Sequence, residues 1–162
     1  SGRGGPMVPP GTYRARLKVG DWSRTRSFTV RLDPRVAKEG VTLADVTAQA
    51  ELALRVRDTL SAARLQVARL QRAEQEVEGA ETAGAESLRK GLAAIHKQLL
   101  TAPVRYSPPM LVDQLQYLYG NLNRADQLPG DDAVRRHEEL RTELEGITHN
   151  LEALLRTLSG SG

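Results

Sequence analysis

The chain has 162 residues, 40% hydrophobic and 27% charged, with one Trp, four Tyr, one Phe and no cysteine. That length suits one domain, or one domain with a small appendage, and is enough for a hydrophobic core. The absence of cysteine excludes disulfides, thiolate catalysis and thiolate metal sites, and the scarcity of rings argues against a ring-lined ligand pocket. The net charge of +3 conceals an asymmetry: residues 1–40 hold nine Lys/Arg against three Asp/Glu, and the remaining residues fourteen against seventeen.

Residues 1–7 and 159–162 have the Gly/Ser character of linkers and carry no fold information. Residues 8–36 read as a β-hairpin. Tyr13, Ala15, Leu17 and Val19 alternate with Arg14, Arg16 and Lys18, while Phe28, Val30 and Leu32 alternate with Ser27, Thr29 and Arg31. Pro9-Pro10-Gly11 marks the approach, Gly20-Asp21-Trp22-Ser23 has the composition of a short loop, and Asp33-Pro34 ends the second strand. An isolated two-stranded hairpin is marginal in water. Its apolar face is therefore expected either to pack on the helices that follow or, the preferred reading, to pair with strands of a larger parent protein. The basic strand face could meet phosphate, but no aromatic residues are interleaved with the arginines as single-strand binders require. Nucleic acid is not an expected partner. Trp22 is a candidate contact residue; the alternative is a cap of the hairpin against an adjacent domain.

From 42 to 158 the period becomes helical, which predicts a bundle of three to four helices. Thr42 and Asp45 have the spacing of a capping box, with Val41 and Val46 placed as a hydrophobic staple. Val46, Ala53, Leu60 and Val67 recur every seven residues, as do Val56, Ala63, Leu70 and Val77, so this helix is expected to reach about Gly79. Leu88, Leu92, Ile95 and Leu99 form a second seam and Leu111, Leu115, Leu118 and Leu122 a third. Leu140, Leu144, Ile147, Leu151, Leu154 and Leu158 form the fourth. The intervening segments 79–84, 103–109 and 126–131 are each short enough to predict antiparallel neighbours. Pro109 is expected in the first turn of the third helix, and Asp131 and Asp132 at the positive end of the fourth.

No motif specifies a reaction. His96, His137 and His149 lack a second ligand at the i, i+4 spacing of a zinc helix, and His137 falls on the apolar stripe as a packed residue. Glu138, Glu139, Glu143 and Glu145 lie among Arg135, Arg136 and Arg141, the pattern of a solvated, salt-bridged face. Asp113 and Tyr117 share a helix face, while Tyr119 points elsewhere. With Tyr106 and the proline-rich approach they form the most distinctive polar-aromatic cluster of the helices. It reads as a docking surface, or alternatively as core tyrosines whose hydroxyls reach the rim. No cofactor and no metal are expected, and no apolar run approaches the roughly 20 residues of a membrane span.

Two strings carry a resemblance. Pro9-Pro10-Gly11-Thr12-Tyr13 followed by Val30-Arg31-Leu32-Asp33-Pro34-Arg35-Val36 is one. Ser107-Pro108-Pro109-Met110-Leu111-Val112-Asp113-Gln114-Leu115-Gln116-Tyr117-Leu118-Tyr119-Gly120, with Ala125-Asp126 and Pro129 after it, is the other. In this order they resemble the C-terminal region of bacterial sortilin-like or BNR-repeat propeller proteins, often labelled glycosyl hydrolases. The resemblance implies an exported parent, with its signal upstream, and a hairpin left from an immunoglobulin-like β-sandwich. It supplies no active site, because the propeller repeats of Ser-x-Asp-x-Gly-x-x-Trp type have no match here.

The expectation is a mainly α fold, an elongated antiparallel helical bundle preceded by a β-hairpin. The function expected is that of a non-catalytic C-terminal structural or interaction module. Its partners would be other domains of the parent or a second copy of the chain. The alternatives are an oligomerisation or adaptor bundle and a glycan-binding module.

Overall fold

The computed structural model describes residues 7–80, 84–124 and 126–159. In chain order the elements are β1 (Gly11–Val19), β2 (Trp22–Val30), α1 (Pro34–Lys38), α2 (Leu43–Val77), α3 (Ala85–Leu99), α4 (Leu111–Leu122) and α5 (Asp131–Ser159).

Helix α2 starts where its sequence dictates. The Asp45 amide donates to Thr42 Oγ1 at 3.2 Å and the Thr42 amide donates to the Asp45 carboxylate at 2.8 Å, which satisfies two amides that a helix start leaves without partners. It ends at Val77, with Gly79 just beyond at φ +76°, a left-handed conformation that favours glycine. Its 35 residues make a rod roughly 52 Å long. Val46, Ala53, Leu60, Val56, Ala63, Leu70 and Val77 are buried, and Val67 is half-buried, as the heptad spacing predicts. A further column of Leu52, Thr59, Gln66 and Ala73 is buried as well. The stripe is this wide because α2 packs against partners on two sides.

Those partners are arranged in a way the loop lengths do not predict. Arg89 of α3 donates to the Val77 carbonyl and His96 pairs with Glu74; further down, Arg64 donates to Gln116 of α4 and Gln49 to the Leu122 carbonyl. Both α3 and α4 thus run antiparallel to α2 and lie end to end along it. The 103–109 segment passes the chain onward instead of reversing it. The reason is length: α3 has 15 residues against the 35 of α2, so half of the α2 stripe would stay wet unless α4 covered it. Helix α5 returns alongside both, with Thr59 beside His137 and Arg69 beside Glu152, hence parallel to α2. The bundle is three rods wide, one of them broken.

The leucines of all four seams meet in one core; Leu154 and Leu158, near the end of α5, are half-buried against it. Asp131 and Asp132 occupy the first turn of α5. Pro109 differs from expectation: α4 begins at Leu111 with Met110 as its N-cap, so Pro109 stands before the helix, and its carbonyl accepts from Gln114 Nε2 at 2.6 Å. Among the described residues no helix is long and apolar enough to cross a membrane.

The hairpin stands apart from this core. Its strands pair without interruption from Gly11–Val30 to Val19–Trp22 across the two-residue loop Gly20-Asp21, with Gly20 at φ +58°. Neither strand packs on a helix. Among the described residues only its root is tied down: the Met7 amide donates to Asn123 Oδ1 at 3.1 Å, and Pro9, Pro10 and Leu32 face Val46 and Ala50 across a cleft of about 280 Å³. The pairing stops at Val30, so Leu32 lies outside the ladder, and the chain then enters α1, where the Asp33 carboxylate accepts from the Arg35 amide at 2.8 Å.

Candidate interaction surface

Register decides what each face of the hairpin presents. Because the loop is two residues long, Tyr13 lies opposite Phe28, Ala15 opposite Arg26, Leu17 opposite Arg24 and Val19 opposite Trp22. These residues share one face, and Arg14, Arg16 and Lys18 project from the other beside Ser23, Thr25 and Ser27. The first face is apolar along β1 and interrupted by two guanidinium groups along β2. Alternation back from Phe28 and Val30 assigns Arg24 and Arg26 to this face whatever the loop length; the two-residue Gly20-Asp21 loop fixes which β1 residue each one opposes. The Tyr13 and Phe28 rings stack with centroids 5.9 Å apart, and the Tyr13 hydroxyl donates to the Pro9 carbonyl at 2.5 Å. Nevertheless Leu17, Val19, Trp22 and Phe28 remain 50% to 65% exposed. Trp22 caps nothing on the helices.

The helical candidates divide. Asp113 and Tyr117 line a groove of about 1000 Å³ between α4, the 126–130 link and the first turns of α5. Pro108, Pro109, Pro129 and Leu118 supply its apolar wall, and Asp132 adds a second carboxylate from the opposite side. Neither Asp113 nor Asp132 forms an ion pair among the described residues, whereas Arg136 at the rim is engaged by Glu139 at 2.7 Å and by Gln114. Tyr117 is 70% exposed, so it is no core plug. Tyr119 is half-buried against the core cluster. Tyr106 does not line the groove; it is 88% exposed, at φ +65°, with the Arg105 guanidinium 4.9 Å from its ring centroid. The sequence located Asp113 and Tyr117; the wall facing them comes from the 126–130 link and the first turns of α5, which spacing along α4 alone does not show.

Two of the three histidines and Glu138 have structural partners. His96 Nδ1 lies 2.9 Å from Glu74 Oε1, and His137 is buried between α5 and α2 with Nε2 2.9 Å from Thr59 Oγ1. The Arg141 guanidinium bonded to Glu138 holds that carboxyl below its usual range. Among the described residues no cluster of three or more His, Asp or Glu could hold a metal ion. The groove and the hairpin offer apolar contact, unpaired charges and unpaired strand edges, which is the chemistry of docking. No protein-family model, curated protein or solved structure matches the chain.

Proposed function

We propose that the chain is a non-catalytic interaction module in which a helical rod carries a β-hairpin for a partner to cover. One observation carries this reading: the bundle closes its own core, while the hairpin leaves four large apolar side chains half exposed and packs on no helix. Exposed apolar surface on a short sheet favours association. The two strings around Pro9–Val36 and Ser107–Gly120 support a parent of the exported propeller class, with the hairpin completing a β-sandwich and the bundle acting as spacer or docking arm. A second reading, association with another copy, is favoured by the basic excess of residues 1–40 against the acidic excess of the rest.

The test uses the single tryptophan together with light-scattering mass over a concentration series. At the lowest concentration Trp22 is expected to emit as a solvated indole. If it emits as a buried one while the chain is monomeric, the hairpin folds onto its own helices and the reading fails. A mass that doubles with concentration, together with a blue shift that Phe28→Ser abolishes, makes the partner a second copy.

A further inference from the structure

We propose that the hairpin accepts its partner along the free edge of β1, that β2 stays the outer strand, and that the incoming strand alternates apolar and acidic side chains. This rests on the reading that the hairpin joins another β layer.

The two strands are not equivalent on the face that needs cover. Strand β1 contributes Tyr13, Ala15, Leu17 and Val19, an unbroken apolar row; β2 places Arg24 and Arg26 in the middle of its row. Neither arginine forms an ion pair or side-chain hydrogen bond among the described residues. A strand inside a sheet has both flanks of its face covered, and an unpaired guanidinium is costly there. On an outermost strand the same side chain reaches water past the rim, and an inward-pointing charge is one of the devices by which edge strands resist further pairing. The pattern therefore makes β1 the interior strand and β2 the protected edge.

Backbone geometry agrees. With a two-residue loop, Val19 and Trp22 form the hydrogen-bonded pair next to the loop, so the odd-numbered residues of β1 bond inward to β2. Thr12, Arg14, Arg16 and Lys18 then direct N–H and C=O to the free side. No proline or bulge interrupts this edge over the nine residues of β1.

The same residues set the chemistry of the partner. Arg14, Arg16 and Lys18 project on the face opposite Tyr13 and form no ion pair among the described residues. Side chains directly opposite one another in adjacent strands are close enough for like charges to repel and opposite charges to attract. An incoming strand therefore sets Asp or Glu against the three cations and apolar residues on the side of Leu17 and Val19.

The experiment uses the full chain and a soluble peptide of nine residues alternating Val and Glu. Saturable binding is expected, read as a blue shift of Trp22 emission and weakened by salt; the matching Val/Lys peptide is expected to bind at least tenfold more weakly. At saturation, amide hydrogen exchange is expected to slow tenfold or more at Thr12, Arg14, Arg16 and Lys18 and to change less than twofold at Ser23, Thr25 and Ser27. Slowing on the β2 amides instead overturns the edge assignment while keeping the hairpin as a strand acceptor. Equal binding of the Lys peptide overturns the acidic partner. No saturable binding overturns the proposal as a whole, and the concentration series on Trp22 then decides separately whether the hairpin seeks a partner at all.

Discussion

The Thr59 hydroxyl of α2 stands 2.9 Å from His137 Nε2 of α5 and donates its own proton to the Arg55 carbonyl 3.0 Å away. With that proton committed, the hydroxyl accepts from Nε2–H, so the neutral ring keeps Nδ1 as an acceptor. Nδ1 is buried without a hydrogen-bond partner among the described residues. Burial holds the His137 pKa below its ordinary 6.5, and the Arg55 and Arg141 charges add to the lowering; the Glu138 charge and the Arg55 backbone carbonyl pull the other way. In the range below 6.5 the unfolded chain binds a proton that the folded chain does not, so stability is full above that pH and declines as the pH falls towards the folded-state pKa. Urea unfolding at about pH 7.5 and about pH 5 is expected to show this decline, and His137→Leu to remove most of it. Equal slopes in the two proteins would place the acid sensitivity elsewhere.

The separation of hairpin from core predicts two unequal substitutions. Leu70 is fully buried where α2 meets its partners, and Leu70→Ala is expected to lower stability by about 2–5 kcal/mol through lost burial and a residual cavity. Phe28→Ser removes as large a side chain from the exposed face of the hairpin and is expected to change the helix unfolding midpoint by less than about 0.5 kcal/mol. Thermal unfolding followed by far-ultraviolet circular dichroism compares them. A Phe28→Ser effect as large as that of Leu70→Ala would mean that strands and helices unfold as one cooperative unit.

The main elements were legible because the period changes near Thr42 and because heptad and 4–3 spacings mark most of the buried leucines; the short helix Pro34–Lys38, which falls partly inside the predicted hairpin, and the buried column that begins at Leu52 were not. What spacing cannot show is direction. The Pro103–Pro109 stretch breaks a helix equally well whether the chain turns back or carries on, and only the mismatch between α2 and α3 in length decides it. Adding the 12 residues of α4 to the 15 of α3 would have revealed the end-to-end order. In the groove, Asp113 and Tyr117 were visible as a helical pair, whereas Pro129 and Asp132 join them through the path of the 126–130 link and the first turn of α5, which periodicity does not encode. On the hairpin, reading the loop as Gly20-Asp21-Trp22-Ser23 sets Arg24 against Val19, whereas the two-residue loop sets it against Leu17; the face that Arg24 and Arg26 occupy is the same either way.

Gln49 joins α2 to the turn between α4 and α5. It is buried; its Nε2 donates to the Leu122 carbonyl, the last of α4, and its Oε1 accepts from the Gln127 amide at 2.8 Å. Truncation leaves those backbone groups without this partner, at a cost of about 1–3 kcal/mol. Gln49→Ala is expected to lower stability by that amount and to speed amide exchange at Gln127 by tenfold or more, with exchange at Leu70 changed only as far as global stability requires. Unchanged exchange at Gln127 would show that the link is held by other contacts.

At Gly91, α3 lies close against Leu154 of α5. A Cβ added at Gly91 would lie 3.0 Å from both Leu154 methyl carbons, tighter than an ordinary carbon contact, so Leu154 must move by a few tenths of an ångström. It can: Leu154 is only half-buried, near the end of α5, where its side chain can rotate towards solvent. Against that small strain stands the propensity gain of Ala over Gly inside a helix, about 1 kcal/mol. Gly91→Ala is therefore expected to raise stability by about 0.5 kcal/mol, whereas Gly91→Leu, whose further atoms would displace α5 itself, is expected to lower it. If Gly91→Ala destabilises instead, Leu154 is fixed in place, and adding Leu154→Ala should then recover stability in a double-mutant cycle. An additive cycle would put the strain in the helix backbones, where no trimming of Leu154 can relieve it.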